Sequence, residues 1–217
     1  MSGMSRTLAL TLTIAIPLAV LAAALYTVRV SSVAEVPAIR ARIPEPPTPA
    51  APAAAPRAPR GLSLDDAIKE LELIRPPRPK FADDFTIATA AGTSFRLSAH
   101  RGRPVFMNFW ATWCPPCLEE MPAMERLWRG HKDAGFVMLA VTVDANPKLV
   151  TPFIERHGFT FTVGLDTKME VANAYGVRAL PSSFVIDRDG RLAGVAVGPR
   201  AWDNAAAQSL IERLAAQ

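Results

Sequence analysis

Cys114 and Cys117 are the only cysteines in the 217-residue chain, and they stand two residues apart in Trp113-Cys114-Pro115-Pro116-Cys117. A nucleophilic sulfur with a resolving sulfur at this spacing does thiol–disulfide exchange. One thiolate attacks a disulfide, a mixed disulfide forms, and the second sulfur releases the product. The other common use of such a pair is half of a zinc site. Zinc takes four ligands, and the chain adds only His100, His131 and His157, scattered along its length.

Two elements must position the pair. Val105 to Trp110 (Val-Phe-Met-Asn-Phe-Trp) is β-branched and aromatic enough for a buried strand, and Pro115 suits the first turn of a helix over 115–128. Cys114 then sits at a helix N-terminus, where the dipole and unpaired amides favour a thiolate. At about 100° per residue, Met121, Met124 and Trp128 share the arc of Cys117 and face the core. Glu120 lies about 60° to one side of that arc, and Glu119 about 160° away on a solvated face. An edge position beside a buried sulfur raises a carboxyl pKa by desolvation, which makes Glu120 a proton acceptor for Cys117.

The stretch Asn108-Phe109-Trp110-Ala111-Thr112-Trp113-Cys114-Pro115-Pro116-Cys117 resembles the thioredoxin superfamily, and within it the membrane-anchored TlpA/ResA/CcmG-like thiol–disulfide oxidoreductases. The resemblance covers about residues 76–217 and implies a thioredoxin-like α/β fold with an N-terminal hairpin extension and a central αβ insertion. It also implies a cis proline at Pro181, with Leu180 and Pro181 contacting substrate, Trp113 beside the active site, and a functional glutamate at Glu120. Two departures from thioredoxin itself stand out. Asn108 replaces a buried aspartate and cannot titrate. Pro115 and Pro116 replace Gly-Pro and donate no N–H, so the first amide able to reach a Cys114 thiolate is that of Cys117. Fewer donors favour the disulfide over the dithiol, which points to a reductant.

The remaining elements alternate as an α/β domain should. Hydrophobic patterning predicts a hairpin of 85–88 and 94–97 about Ala91-Gly92, and a buried strand over 136–143. A helix follows over 147–157, then a strand over 160–163 and a helix over 168–175. A second hairpin of 183–187 and 192–197 turns at Asp189-Gly190, and a helix over 202–215 closes the chain. Ahead of this domain, Leu62 to Ile74 opens on a Ser63 cap and places Leu64, Ile68, Leu71 and Ile74 on one face. Residues 62–75 are thus an amphipathic helix expected to pack on the domain.

Residues 1–30 carry an apolar run, Leu8 to Val28, long enough at about 1.5 Å per residue to span a hydrocarbon core of roughly 30 Å. It is longer than the usual apolar region of a cleaved signal, so we read an uncleaved anchor; Ser32-Val33-Ala34 offers the cleaved alternative. Residues 31–61 are a Pro/Ala-rich linker, with eight of the 20 prolines between Pro37 and Pro59. Residues 1–61 hold six Arg against two Glu, while residues 62–217 hold 18 basic and 18 acidic residues. The net charge of +4 therefore belongs to the tail, and the folded part gives no reason to expect nucleic acid.

Flanking arginines do not decide the orientation of the span, because Arg6 precedes it while Arg29, Arg40 and Arg42 follow. The resemblance and redox logic place the domain in the periplasm or an equivalent extracytoplasmic space, on a single pass through a bacterial inner membrane. No flavin or nicotinamide fingerprint is present, so the expected cofactor is none beyond the cysteine pair. Electrons would come from another protein, which the resemblance implies is a membrane thiol transporter. Apocytochrome c or a copper-assembly protein is then the client. A copper-delivery module using the same cysteines, with methionines such as Met121 and Met124, is the alternative of another class.

Overall fold

The computed structural model describes residues 61–217; the apolar run 8–28 and almost all of the Pro/Ala-rich stretch lie outside the described residues. Helix α1 (Leu64–Glu70) begins where Ser63 accepts the Asp66 N–H, with Asp65 and Asp66 in its first turn. It packs through buried Ala67, Ile68 and Leu71. It ends before the expected residue 74. Glu72 turns to φ 50°, the Leu73 N–H closes on the Ile68 carbonyl, and the chain leaves the helix. Ile74 therefore abandons the apolar face expected of it. Its backbone exchanges both hydrogen bonds with Val195, and its side chain is 62% exposed.

The hairpin of β1 (Thr86–Ala88) and β2 (Ser94–Arg96) is antiparallel and buries Ile87 and Phe95. The central strand β3 (Val105–Trp110) is buried at every position. It is followed by α2 (Pro115–His131), β4 (Val137–Thr142) and α3 (Val150–His157). Next come β5 (Thr162–Leu165), α4 (Glu170–Ala174), β6 (Ser182–Ile186), β7 (Leu192–Val197) and α5 (Ala205–Ala215). The main sheet has the order β5-β4-β3-β6-β7, with β3, β4 and β5 parallel and β6 and β7 antiparallel. Helical crossovers after β3 and β4 join the parallel pairs, as parallel pairing requires. Alternate β3 residues face opposite layers: Phe106 meets Trp202 edge-on at 4.6 Å, whereas Phe109 meets Phe184 at 5.7 Å.

Three expected boundaries shift, two of them because a side chain claims the backbone first. Thr160 does not join β5, since its N–H and hydroxyl both go to the Glu125 carboxylate. The last helix starts at 205 rather than 202, because Asn204 caps it by accepting the Ala207 N–H. Trp202, freed from the helix, turns into the core. Met169 takes φ 58° and delays α4 to Glu170. The turn at Asp189-Gly190 stands as expected, and its backbone conformation favours Gly190 there. Its φ is +85°, in the left-handed region that residues with a Cβ rarely adopt.

Candidate active site

Strand β3 delivers the chain to the cysteines at the open end of the sheet. Cys114 is the N-cap of α2 and Pro115 and Pro116 occupy its first turn, so that turn contributes no early N–H donors. Cys114 and Cys117 form a disulfide of 2.06 Å. Cys114 is 6% exposed and Cys117 is fully enclosed, so any approach from outside meets Cys114 first. In this oxidised state the Cys117 and Leu118 amides both donate to the Cys114 carbonyl, at 3.1 and 3.2 Å. The Cys117 N–H, expected as the first donor to the Cys114 sulfur, is thus already spent on backbone.

Thr112, two residues before Cys114, is clamped from β4. The buried Asp144 carboxylate accepts the Thr112 N–H at 2.9 Å and the Thr112 hydroxyl at 2.8 Å, while the Thr142 hydroxyl donates to it at 2.6 Å. The clamp follows from register, since Trp110 pairs with Thr142 and both strands end together. Trp113 escapes it and stands 67% exposed beside the disulfide.

Glu120 is more buried than an edge position would make it, at 3% exposure. Strand β3 and the turn before α5 close over it. Asn108 of β3 donates from Nδ2 to Oε1 at 2.7 Å, and the Arg200 N–H and Trp202 Nε1–H donate to Oε2, each at 3.0 Å. Asn108 Nδ2 also donates to Ser183 Oγ at 2.9 Å, because Asn108 and Ser183 are direct partners across β3 and β6. Burial pushes the Glu120 carboxyl up to about 7, against the opposing pull of these donors and of the Arg200 charge. A buried group titrating near neutrality can both take and return a proton.

Leu180-Pro181 is a cis peptide bond. The Phe109–Ser182 pairing puts Pro181 one step further, level with Trp110 at the end of the strand from which Cys114 hangs. The Pro181 side chain is buried and its carbonyl accepts the Gly198 N–H at 2.9 Å. Leu180 is half-buried, and its backbone N–H and C=O take no partner among the described residues. Of the two residues expected to contact substrate, Leu180 has the free peptide edge and Pro181 does not.

Sequence reasoning placed Cys114, Cys117 and Glu120 at the start of one helix, and the structure has Cys114 as the N-cap of α2 with Cys117 and Glu120 buried on its first two turns. It missed Asp144, Ser183, Arg200 and Trp202, which join the site only through sheet register and the turn before α5. It also missed Glu125, whose carboxylate ties α2 to the chain before β5 and is held below the usual range by Thr160 and Arg129 despite burial. Among the described residues no group of three or more His, Cys, Asp or Glu is arranged to hold a metal ion, and no helix is long and apolar enough to cross a membrane.

A sheet of this order with a disulfide at a helix N-terminus, level with a cis-proline strand, defines a thioredoxin-like thiol–disulfide oxidoreductase. Comparison with known proteins agrees. The Redoxin family model matches residues 77–211, more than half of the chain. Two relatives named thiol-disulfide oxidoreductase ResA, from Geobacillus thermodenitrificans and Geobacillus kaustophilus, are 44% and 45% identical over 118 residues, which is 54% of this chain and 67% of each relative. A Chlorobium tepidum structure assigned as a thiol:disulfide interchange protein DsbE superposes with a TM-score of 0.59 at 33% identity, covering 64% of this chain and 99% of that one. The chain belongs to the Redoxin family, as a protein-disulfide oxidoreductase of the ResA- and CcmG-like branch of the thioredoxin superfamily.

Proposed function

We propose that the protein runs in the reducing direction on disulfides of partner proteins outside the cytoplasm. Starting from the dithiol, the Cys114 thiolate attacks one sulfur of the partner's disulfide. That S–S bond breaks, a bond to Cys114 forms, and the partner's other sulfur leaves as a thiolate that takes a proton. Cys117 then gives its proton to Glu120 and attacks Cys114, expelling the partner's second sulfur. Two electrons have passed to the partner, and the protein is left with the Cys114–Cys117 bond seen here. Leu180 offers its free peptide edge to the extended partner chain, and Trp113 supplies an exposed apolar face beside the sulfur.

The observation that carries the direction is the shortage of donors at Cys114. Pro115 and Pro116 have no N–H, and the next two amides are spent on the Cys114 carbonyl. A poorly stabilised thiolate favours the disulfide, which is what makes a dithiol a reductant. The reading includes an anchor at residues 8–28 and an extracytoplasmic domain supplied with electrons by a membrane thiol transporter. Apocytochrome c or a copper-assembly protein is the client. Redox titration in glutathione buffers tests the direction. The expected potential lies nearer to the roughly −270 mV of thioredoxin than to the roughly −120 mV of a strong oxidant, and a value above about −180 mV would overturn the assignment.

A further inference from the structure

Asn108 Oδ1 is buried and has no hydrogen-bond partner, although the Nδ2 of the same amide has two. Leaving a buried acceptor unpaired is unfavourable, so its presence at the centre of the site calls for a reason. The donor inventory around Glu120 supplies one. The carboxylate sits among the Asn108 Nδ2–H, the Arg200 backbone N–H and the Trp202 indole N–H. When Glu120 holds a proton, its O–H needs an acceptor, and neither a backbone N–H nor an indole N–H can become one. Among these three partners, only Asn108 carries an acceptor as well as a donor.

We propose that the Asn108 amide, together with the Ser183 hydroxyl, is a switch that reverses as Glu120 gains or loses its proton. With Glu120 ionised, the two Nδ2 hydrogens go to Glu120 Oε1 and Ser183 Oγ, as observed. With Glu120 protonated, a half-turn about the terminal amide bond puts Oδ1 in the place of Nδ2. Its two lone pairs then accept the Glu120 O–H and the Ser183 O–H, whose hydroxyl hydrogen rotates to suit. Oxygen and nitrogen of an amide are close to isosteric, so the half-turn exchanges the two heavy atoms in place and sends the Nδ2 hydrogens to the side where Oδ1 now has no partner. Both protonation states of Glu120 thus find a partner in Asn108, and a carboxyl enclosed in the core can titrate without unfolding its surroundings. An aspartate at position 108 would not do this, because its charge would compete with Glu120 for the same proton.

Asn108 and Ser183 are positioning residues in this scheme, acting through Glu120, and the scheme rests on the reading that Glu120 takes the Cys117 proton. The charged and titratable groups facing Glu120 are few. Among the described residues the charge that acts on it is the Arg200 guanidinium, which is also paired with Glu72 at 3.6 Å. β3 and β6 present only the neutral Asn108 and Ser183.

Nuclear magnetic resonance of the oxidised, isotope-labelled protein tests the switch in the wild type, where the cysteines do not titrate. The Asn108 side-chain NH₂ group is followed from pH 5 to 9 beside the Glu120 carboxyl carbon. The two are expected to titrate together, with the Asn108 NH₂ protons close to the Ser183 and Glu120 side chains only on the alkaline side of the midpoint. Glu120→Gln is expected to hold the amide in its acid-side orientation at every pH, because the Gln NH₂ donates where the Glu O–H did. An Asn108 signal that stays still while Glu120 titrates, or Glu120 failing to titrate in this range, would overturn the switch. So would an alkaline-side signal in Glu120→Gln. Failure of the catalytic reading is a separate result: mixed-disulfide resolution by Glu120→Gln at the wild-type rate would remove Glu120 from the chemistry while leaving the spectrum unchanged.

Discussion

Replacing Glu120 by Gln should make the oxidised protein gain stability over the wild type as pH rises. Folding moves the Glu120 carboxyl from its ordinary 4.5 to about 7, with burial as the leading cause. The folded state therefore binds this proton more tightly than the unfolded chain does. Below about pH 4.5 both states are protonated and the residue is neutral with respect to pH. Between 4.5 and 7 the unfolded chain releases the proton first, so wild-type stability falls through that window, and above 7 the full penalty applies. At about 1.4 kcal/mol for each tenfold change in proton affinity, the penalty is on the order of 3 kcal/mol.

Gln fills the same volume and can receive the Arg200 and Trp202 hydrogens without a charge to desolvate. The assay is urea denaturation of both oxidised proteins at a series of pH values from 4 to 8.5, read as the difference between them. His100, held low by burial and by Arg103, and Glu125, held low by Thr160 and Arg129, titrate in both proteins and cancel in that difference. A difference that is flat with pH, or that favours the wild type increasingly above pH 5, would refute the assignment of a raised carboxyl at Glu120.

Two other outcomes follow from the same geometry. Cys117→Ser should accumulate mixed disulfides with client proteins through Cys114, whereas Cys114→Ser should accumulate none, because only Cys114 reaches the surface; non-reducing electrophoresis followed by mass spectrometry reads the difference. Asp144→Ala should cost about 2–3 kcal/mol in urea denaturation, since it strands the Thr112 N–H and the buried Thr142 hydroxyl. Faster hydrogen exchange at Thr112 and Trp113 should accompany that loss.

The parts of the protein that were legible in the sequence are those whose cause is local. Ser63, the Val105–Trp110 run, Pro115 and Asp189-Gly190 each act within a few residues, and each marks its element in the structure. Glu120 was legible as a helix position, but its depth was not, because that depth is set by Trp202 and Arg200 arriving from the turn before α5. The same holds for Ile74. Helical periodicity put it on the apolar face, while the φ of Glu72 and the open edge of β7 took it elsewhere. Ser183 was visible only as the first residue of an expected strand, and its meaning came from the register that sets it opposite Asn108.

Arg200 ties the least legible part of the site to the most peripheral element of the domain. Its backbone N–H holds Glu120, 80 positions earlier in the chain, while its Nε–H donates to the Leu71 carbonyl at 2.9 Å and Nη2 lies 3.6 Å from the Glu72 carboxylate. Leu71 and Glu72 are the residues that end α1, so the helix ahead of the thioredoxin-like part anchors a donor to Glu120. The effect on Glu120 has two opposed components. Enclosure raises the carboxyl, whereas the Arg200 N–H and charge lower it. A value near 7 is thus a balance struck between α2, the turn before α5 and the end of α1. The end of the short amphipathic helix is thus linked through Arg200 to the Glu120 carboxyl as well as to the packing.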